Sequence, residues 1–86
     1  MQTQQIYFNV EKTLFNLSAG QCGRVVNISS VSTNILLHYA HLGLVVGQDV
    51  KVICLAPHGR ALLVDVRGCA FAVEADICKK IVVEVV

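Results

Sequence analysis

Three histidines and four cysteines are the residues of this 86-residue chain whose types could do metal or nucleophilic chemistry. His38 and His41 are three positions apart in a stretch with helical periodicity, so both imidazoles can project from one helix face. Such a pair can bind a divalent transition metal when a further ligand approaches. The alternative, which we favour, is a pair of half-exposed polar residues on an amphipathic helix.

The cysteines do not form CxxC pairs, and their separations differ from zinc-finger spacing. Cys54, Cys69 and Cys78 stand in apolar contexts, which favours buried thiols that pack as small hydrophobic side chains. A surface site of Cys54 with His58 stays open as an alternative, because the ends of a hairpin can meet in space. The first prediction is therefore no tightly bound metal or other cofactor. The alternative is weak binding of Fe²⁺ or another divalent transition metal by His38, His41, Cys54 and His58.

Catalytic motifs do not stand out in the chain. There is no GxxxxGK[ST] segment, so a phosphate-binding loop of that kind is not expected. The aspartates show no pairing with a histidine and a serine that would activate a nucleophile. The sequence does not predict an enzyme.

The length and composition of the chain predict one small domain, part of whose surface is apolar. Hydrophobic residues make up 55% of the chain and charged residues 15%, against a globular average of roughly 25% charged. Either a partner covers part of the apolar surface, with a second copy of the chain among the candidates, or the domain is a tight β-barrel poor in charge. The net charge of +1 and the scattered lysines and arginines argue against a nucleic-acid surface.

A helix followed by a strand organises the middle of the chain. Ser32 can cap a helix in which Ile35, Tyr39 and Leu42 lie on one face, at positions i, i+4 and i+7. Gly43 can take the positive φ that ends a helix. From Val50 onward, apolar and polar residues alternate as in a strand.

The remaining patterns predict a mainly β fold. Five short strands with close turn signals, and one short helix inserted after the first strand, indicate a small SH3-like barrel. The predicted strands cover residues 23–28, 50–55, 61–66, 69–73 and 81–86. Residues 13–86 form the barrel domain, and residues 1–12 form an extension that either trails in solvent or adds an edge strand. Period-two placement predicts the inward residues, which are Val26, Ile28, Val50, Val52, Val64, Val66, Phe71, Val73 and Val83.

Three segments together resemble the ferrous iron transport protein A (FeoA) family. The central segment is Leu42-Gly43-Leu44-x-x-Gly47-x-x-Val50-x-Val52. The upstream segment is Leu17-Ser18-Ala19-Gly20-Gln21-x-Gly23-x-Val25. The downstream one is Ala56-Pro57-His58-Gly59 followed by Val66-x-Gly68. They occur in the family's order and with family-like spacing between Leu14 and Val86. The same barrel recurs as the C-terminal domain of iron-dependent repressors.

The resemblance implies a cytoplasmic accessory protein of ferrous iron uptake that binds the cytoplasmic G-protein region of the ferrous iron transporter (FeoB). The alternative is an iron-responsive module that binds a transition-metal ion directly. The polar N-terminus lacks the features of a signal peptide, and the longest apolar stretch is too short to span a bilayer. Both observations favour the cytoplasm, where thiols stay reduced.

We place the partner-binding surface on two elements. One is the helix face with His38, Tyr39 and His41, and the other is the turn with Pro57, His58 and Arg60. Tyr39 and Arg60 are the candidate anchors, because aromatic and arginine side chains dominate interface energetics. Tyr39 has a second interpretation as a core residue whose hydroxyl reaches water.

Overall fold

The computed structural model describes residues 10–86. They form six strands in one antiparallel sheet, with an α-helix between the second and third strands and a short helical segment before the last. The strands are β1 (Glu11–Thr13), β2 (Cys22–Asn27), β3 (Asp49–Leu55), β4 (Ala61–Val66), β5 (Cys69–Glu74) and β6 (Val82–Val85). The helices are α1 (Thr33–Ala40) and α2 (Ala75–Cys78), with 3₁₀ turns at Leu14–Asn16 and Pro57–Gly59.

The sheet has the order β1-β6-β2-β3-β4-β5. Strands β2 to β6 all contribute buried side chains to a single apolar cluster, so the sheet wraps around one core. This is the small SH3-like barrel with one inserted helix that the sequence predicts, and its five predicted strands are β2 to β6. The sixth strand, β1, pairs with β6 and includes the last residues of the predicted extension, Glu11 and Lys12. Residues 1–9 of that extension lie outside the described residues.

Alternation builds the inner face along β4 and in the first half of β3. Val50, Val52 and Val64 have no exposed surface, and Val66 is 1% exposed. Val52 lies opposite Val64 in the antiparallel register. These branched side chains suit a pleated surface that is buried on one face. Val73 and Val83 are also buried, and Phe71 packs against the cluster from a partly exposed position, all as predicted.

The predicted register of β2 is wrong by one residue. Val25 has no exposed surface, whereas Val26 is only half-buried. The inward set begins at Gly23, where a Cβ atom would lie 2.8 Å from Cγ2 of Val83. Only glycine fits that approach, so Gly23 and Val25 face the core. A bulge between Val25 and Asn27 then shifts the register, and Ile28 packs against the core only partly.

Gly43 ends the helical region as expected. It has a φ of +95°, and Leu44 beyond it is buried, with its N–H donating to the Tyr39 carbonyl at 3.1 Å. These are the features of a glycine stop with a packed residue after it. At the other end, Ser32 precedes α1 with extended dihedrals but makes no side-chain capping bond.

Candidate partner-binding surface

Helix α1 buries the side of the helix that carries Tyr39. The Tyr39 ring is 8% exposed and stacks on Phe71 with 6.4 Å between ring centroids. The Glu74 backbone N–H donates to the Tyr39 hydroxyl at 3.5 Å, a long bond. Of the two interpretations of Tyr39, the structure shows the core residue. The prediction that this ring is an exposed interface anchor is wrong, because its position four residues after Ile35 turns it inward.

The outward side of α1 carries Leu37 with His38 and His41, all exposed. Leu37 is 57% exposed, and the turn that follows the helix adds Val45 and Val46, at 40% and 56%. We call these five residues the helix-end surface. Sequence reasoning missed Leu37, although helical periodicity already placed it opposite the face of Ile35 and Tyr39.

The Pro57–Gly59 turn carries exposed side chains and is closed by backbone hydrogen bonds. Gly59 donates to the Ala56 carbonyl at 3.0 Å, and Ala56 donates to Ala61 at 2.8 Å. His58 has a φ of +69°, which few residues other than glycine adopt. Proline before it fixes the first turn dihedral. The predicted turn is present, and it presents Pro57, His58 and Arg60 to solvent.

Two open clefts lie next to the helix and the turn. The smaller cleft, of about 270 Å³, lies beside α1 and is lined by residues that include His38, Tyr39 and Glu74. The larger, of about 600 Å³, lies beside the turn and is lined by residues that include Arg60 and Glu74. Glu74 borders both clefts, so it lies between the cleft beside the helix and the cleft beside the turn. The larger cleft is also lined by Asp76 and Lys79, so its two acidic side chains are matched in charge by two basic ones.

The residues of the alternative metal site do not come together in the described part of the chain. Among residues 10–86, no three His, Cys, Asp or Glu side chains lie close enough together to hold a metal ion. The set His38, His41, Cys54 and His58 is therefore not gathered in one place. Cys54 and Cys69 are exposed, so the prediction that they are buried is wrong. A bulge between Val52 and Cys54 breaks the alternation in β3, and Cys69 directly follows an exposed turn.

Cys78 is the thiol that the core does enclose. It has no exposed surface, and its Sγ donates to the Val73 carbonyl at 3.4 Å. Burial raises the pKa of this thiol from 9.0 to about 12. Such a thiol stays protonated near neutral pH, which makes it inert as a nucleophile or metal ligand. In the part of the chain that the structure describes, no helix has the length and apolar character to cross a bilayer.

The barrel with its inserted helix defines a class, that of small SH3-like domains. A family model described as the FeoA domain matches residues 12–85, and the chain belongs to the FeoA family. Membership implies a role in ferrous iron transport. No curated protein matches the chain in sequence.

Solved structures agree with this assignment. An iron uptake regulatory protein (FeoA) superposes with a TM-score of 0.79 at 25% identity, over 90% of this chain and 100% of that one. The FeoA protein from Chlorobium tepidum gives 0.81 at 25% identity, over 87% and 70% of the two chains. A manganese-dependent transcriptional repressor gives 0.80 at 17% identity, over 95% of this chain and 45% of the repressor. The repressor likeness concerns the fold alone.

Proposed function

We propose that this protein is a cytoplasmic accessory protein of ferrous iron uptake that acts by binding the cytoplasmic G-protein region of the ferrous iron transporter. Family membership supports the pathway. The observation that carries the binding role is the helix-end surface, where Leu37, Val45 and Val46 are each at least 40% exposed in a chain of low charge. Three exposed apolar side chains within ten residues of one helix and its following turn are the feature of this chain that a partner could cover.

Leu37 and Arg60 are the anchors of the proposed interface. Leu37 replaces Tyr39 in this role, because the tyrosine ring is held in the core. Arg60 stands on the exposed turn at the rim of the cleft that it shares with Glu74. Interfaces usually have an apolar centre and a polar rim. In this proposal Leu37 supplies the apolar contact and Arg60 the charged contact.

A titration of the purified cytoplasmic region of the transporter with this protein tests the proposal. The variant Leu37→Glu places a charge in the apolar contact, and we expect it to weaken binding at least about tenfold. Val86→Glu is the control, because Val86 is 62% exposed and belongs neither to the helix-end surface nor to the turn that carries Arg60. Equal binding by both variants would assign the contact to another surface. Absence of binding by the wild-type protein would remove the transporter as the partner.

The alternative function is direct sensing of a transition-metal ion. One solved structure with a similar fold is a manganese-dependent transcriptional repressor in complex with manganese. At 18% identity, that similarity concerns the fold alone. Since no three ligand side chains lie together among residues 10–86, we propose that the protein carries no tightly bound metal. Metal analysis of protein purified without a histidine tag checks this. One equivalent of metal that survives dialysis, and disappears in the double variant His38→Ala/His41→Ala, would favour the alternative.

A further inference from the structure

The side of strands β3, β4 and β5 that faces away from the core is a second surface, distinct from the helix-end surface. Every second residue of β4 faces the core, so Leu63 and Asp65 point outward. The antiparallel register extends this outward side onto both neighbouring strands. It carries Lys51 and Cys54 on β3, Leu63 and Asp65 on β4, and Ala70 and Ala72 on β5. We call this set of residues the outer sheet face.

The outer sheet face is open to solvent. Its residues on β3 and β5 are exposed, and Leu63 and Asp65 on the central strand are half-buried. Helix α1 lies on the other side of the sheet, because Tyr39 packs on Phe71 and the register partner of Phe71 is the fully buried Val64. A partner on the outer sheet face would therefore leave the helix and its contacts undisturbed.

Lys51 and Asp65 are the two charged residues of this face, and they are register partners on adjacent strands. The ion pair that residues 10–86 do form joins Arg24 to Asp49, so Lys51 and Asp65 are not paired with each other. Oδ1 of Asp65 accepts from the Gly68 N–H at 2.9 Å, which leaves the second carboxylate oxygen available. The face thus presents a base and an acid side by side in an apolar surface.

We propose that the outer sheet face binds the same face of a second copy of the chain, about a two-fold axis that runs parallel to the strands between β3 and β4. Rotation about this axis lays β3 of each copy over β4 of the other. Residues that are register partners within one copy then face each other across the interface. Lys51 of each copy lies over Asp65 of the other, and Cys54 lies over Leu63.

The dimensions of packed sheets agree with this contact. Sheets that pack face to face lie about 10 Å apart, with their strands within roughly 30° of each other. The side chains of an extended lysine and an aspartate together span such a gap, so each dimer contains two ion pairs between copies. The small side chains of Ala70 and Ala72 do not hinder the approach at the edge of the face.

Charge complementarity is the reason to choose a second copy over an unrelated partner. The rotation converts one base–acid register pair into two matched pairs across the interface, without any further requirement on the sequence. An unrelated surface would need an acid and a base at the same spacing. Standard interfaces use roughly 20–30 residues per partner, so this smaller face should give a weak dimer that forms at high concentration.

Sedimentation equilibrium of the full chain, at concentrations up to the millimolar range, tests the proposal. We expect the average mass to rise from 9.3 kDa toward twice that value. Leu63→Glu puts a charge at the centre of the contact and should raise the dissociation constant by about tenfold or more. Leu37→Glu is the matched control, because it makes the same change on the helix-end surface. Thermal unfolding at low concentration verifies that both variants are folded.

A mixing experiment tests the position of the axis. Lys51→Glu and Asp65→Lys each place like charges opposite each other, so each variant alone should dimerise about tenfold more weakly than the wild-type protein. An equimolar mixture of the two should recover the dimer, because opposite charges then face each other at both contacts. Lys80→Glu is the control, since it makes the same charge change at an exposed position outside the face. It should dimerise like the wild-type protein.

Four results would overturn the proposal. A chain that stays at 9.3 kDa throughout the range forms no dimer. A dimer that is indifferent to Leu63→Glu, or is lost equally in Leu37→Glu, uses another surface. Charge variants that are not rescued by mixing exclude this axis. A full chain that dimerises only after removal of residues 1–9 would make the chain's own N-terminal segment the occupant of the face.

The dimer and the transporter contact can be separated on the same variants. Transporter binding should be weakened by Leu37→Glu and kept by Leu63→Glu, whereas dimerisation should show the reverse dependence. Failure of one proposal therefore leaves the other measurable. Transporter binding that is lost in Leu63→Glu, by a chain that remains a monomer, would assign the outer sheet face to the transporter and overturn the dimer.

Discussion

The rings of Tyr39 in α1 and Phe71 in β5 stack with 6.4 Å between their centroids and 27° between their planes. This contact joins the inserted helix to the last strand of the sheet. The residues are far apart in sequence, so the pair closes a long loop and fixes α1 against the barrel. The outward face of the helix, which carries Leu37, depends on that position.

Truncation of Tyr39 should therefore lower stability. Tyr39→Ala removes a buried aromatic ring, which costs about 3–5 kcal/mol out of a total of roughly 5–15 kcal/mol. Tyr39→Phe keeps the ring and loses only the long bond from the Glu74 N–H, so we expect a cost of at most about 1 kcal/mol. Urea unfolding of both variants measures the difference. Similar stabilities would show that the ring does not support the core.

Much of this arrangement follows from the sequence, and the failures have local causes. The barrel, the inserted helix and the glycine stop follow from periodicity and turn chemistry, which act over a few residues. The inward choice of Val26 failed because a bulge shifts β2, and a bulge depends on the partner strand. The burial of Cys54 failed for the same reason in β3.

The candidate site was less predictable than the fold. The turn at Pro57 carries its own signal, because proline and glycine fix it locally. Tyr39 was predicted as an anchor from interface statistics, although its helical phase with Ile35 also allowed the core position that the structure shows, and Leu37 was not considered. The position of Glu74 between the two clefts depends on how the whole barrel closes, which no short pattern encodes.

Gly43 provides a test of the helix stop. Its φ of +95° disfavours any side chain, and a Cβ atom there would lie 3.2 Å from Cγ1 of Val66. Gly43→Val and Gly43→Asn both bring that contact, but asparagine tolerates a positive φ better than a β-branched residue. We expect the valine variant to be less stable by about 1 kcal/mol or more. Equal melting temperatures of the two variants would contradict the helix-stop interpretation.

A matched pair of substitutions tests the register of β2. Val25→Thr puts a hydroxyl in a position with no exposed surface, whereas Val26→Thr puts it where water can reach it. Threonine has nearly the shape of valine, so the difference isolates the polar group. The first variant should lose about 1–3 kcal/mol, and the second should change little. Chemical unfolding compares them, and the reverse order would restore the register that we predicted from the sequence.

Cys78 should make the stability of the protein fall in alkaline solution. Burial raises the pKa of this thiol from 9.0 to about 12, so between those values the unfolded chain loses the proton and the folded chain keeps it. The unfolded state then binds fewer protons, and stability decreases with pH by about 1.4 kcal/mol per unit at most. Below the unfolded pKa, the thiol contributes no pH dependence.

The control for this effect is Cys78→Ala, which removes the titrating group and leaves a small cavity. Its stability should be lower at neutral pH, because a buried side chain has been truncated. Its decline between pH 9 and pH 12 should be shallower than that of the wild-type protein, because the other titrating groups are shared by both. Thiol labelling gives an independent measurement of the burial of Cys78. Cys54 and Cys69 are exposed and should react in the native state, whereas Cys78 should react only when the protein unfolds. Parallel pH profiles, together with fast labelling of Cys78 under native conditions, would show that the core does not enclose this thiol.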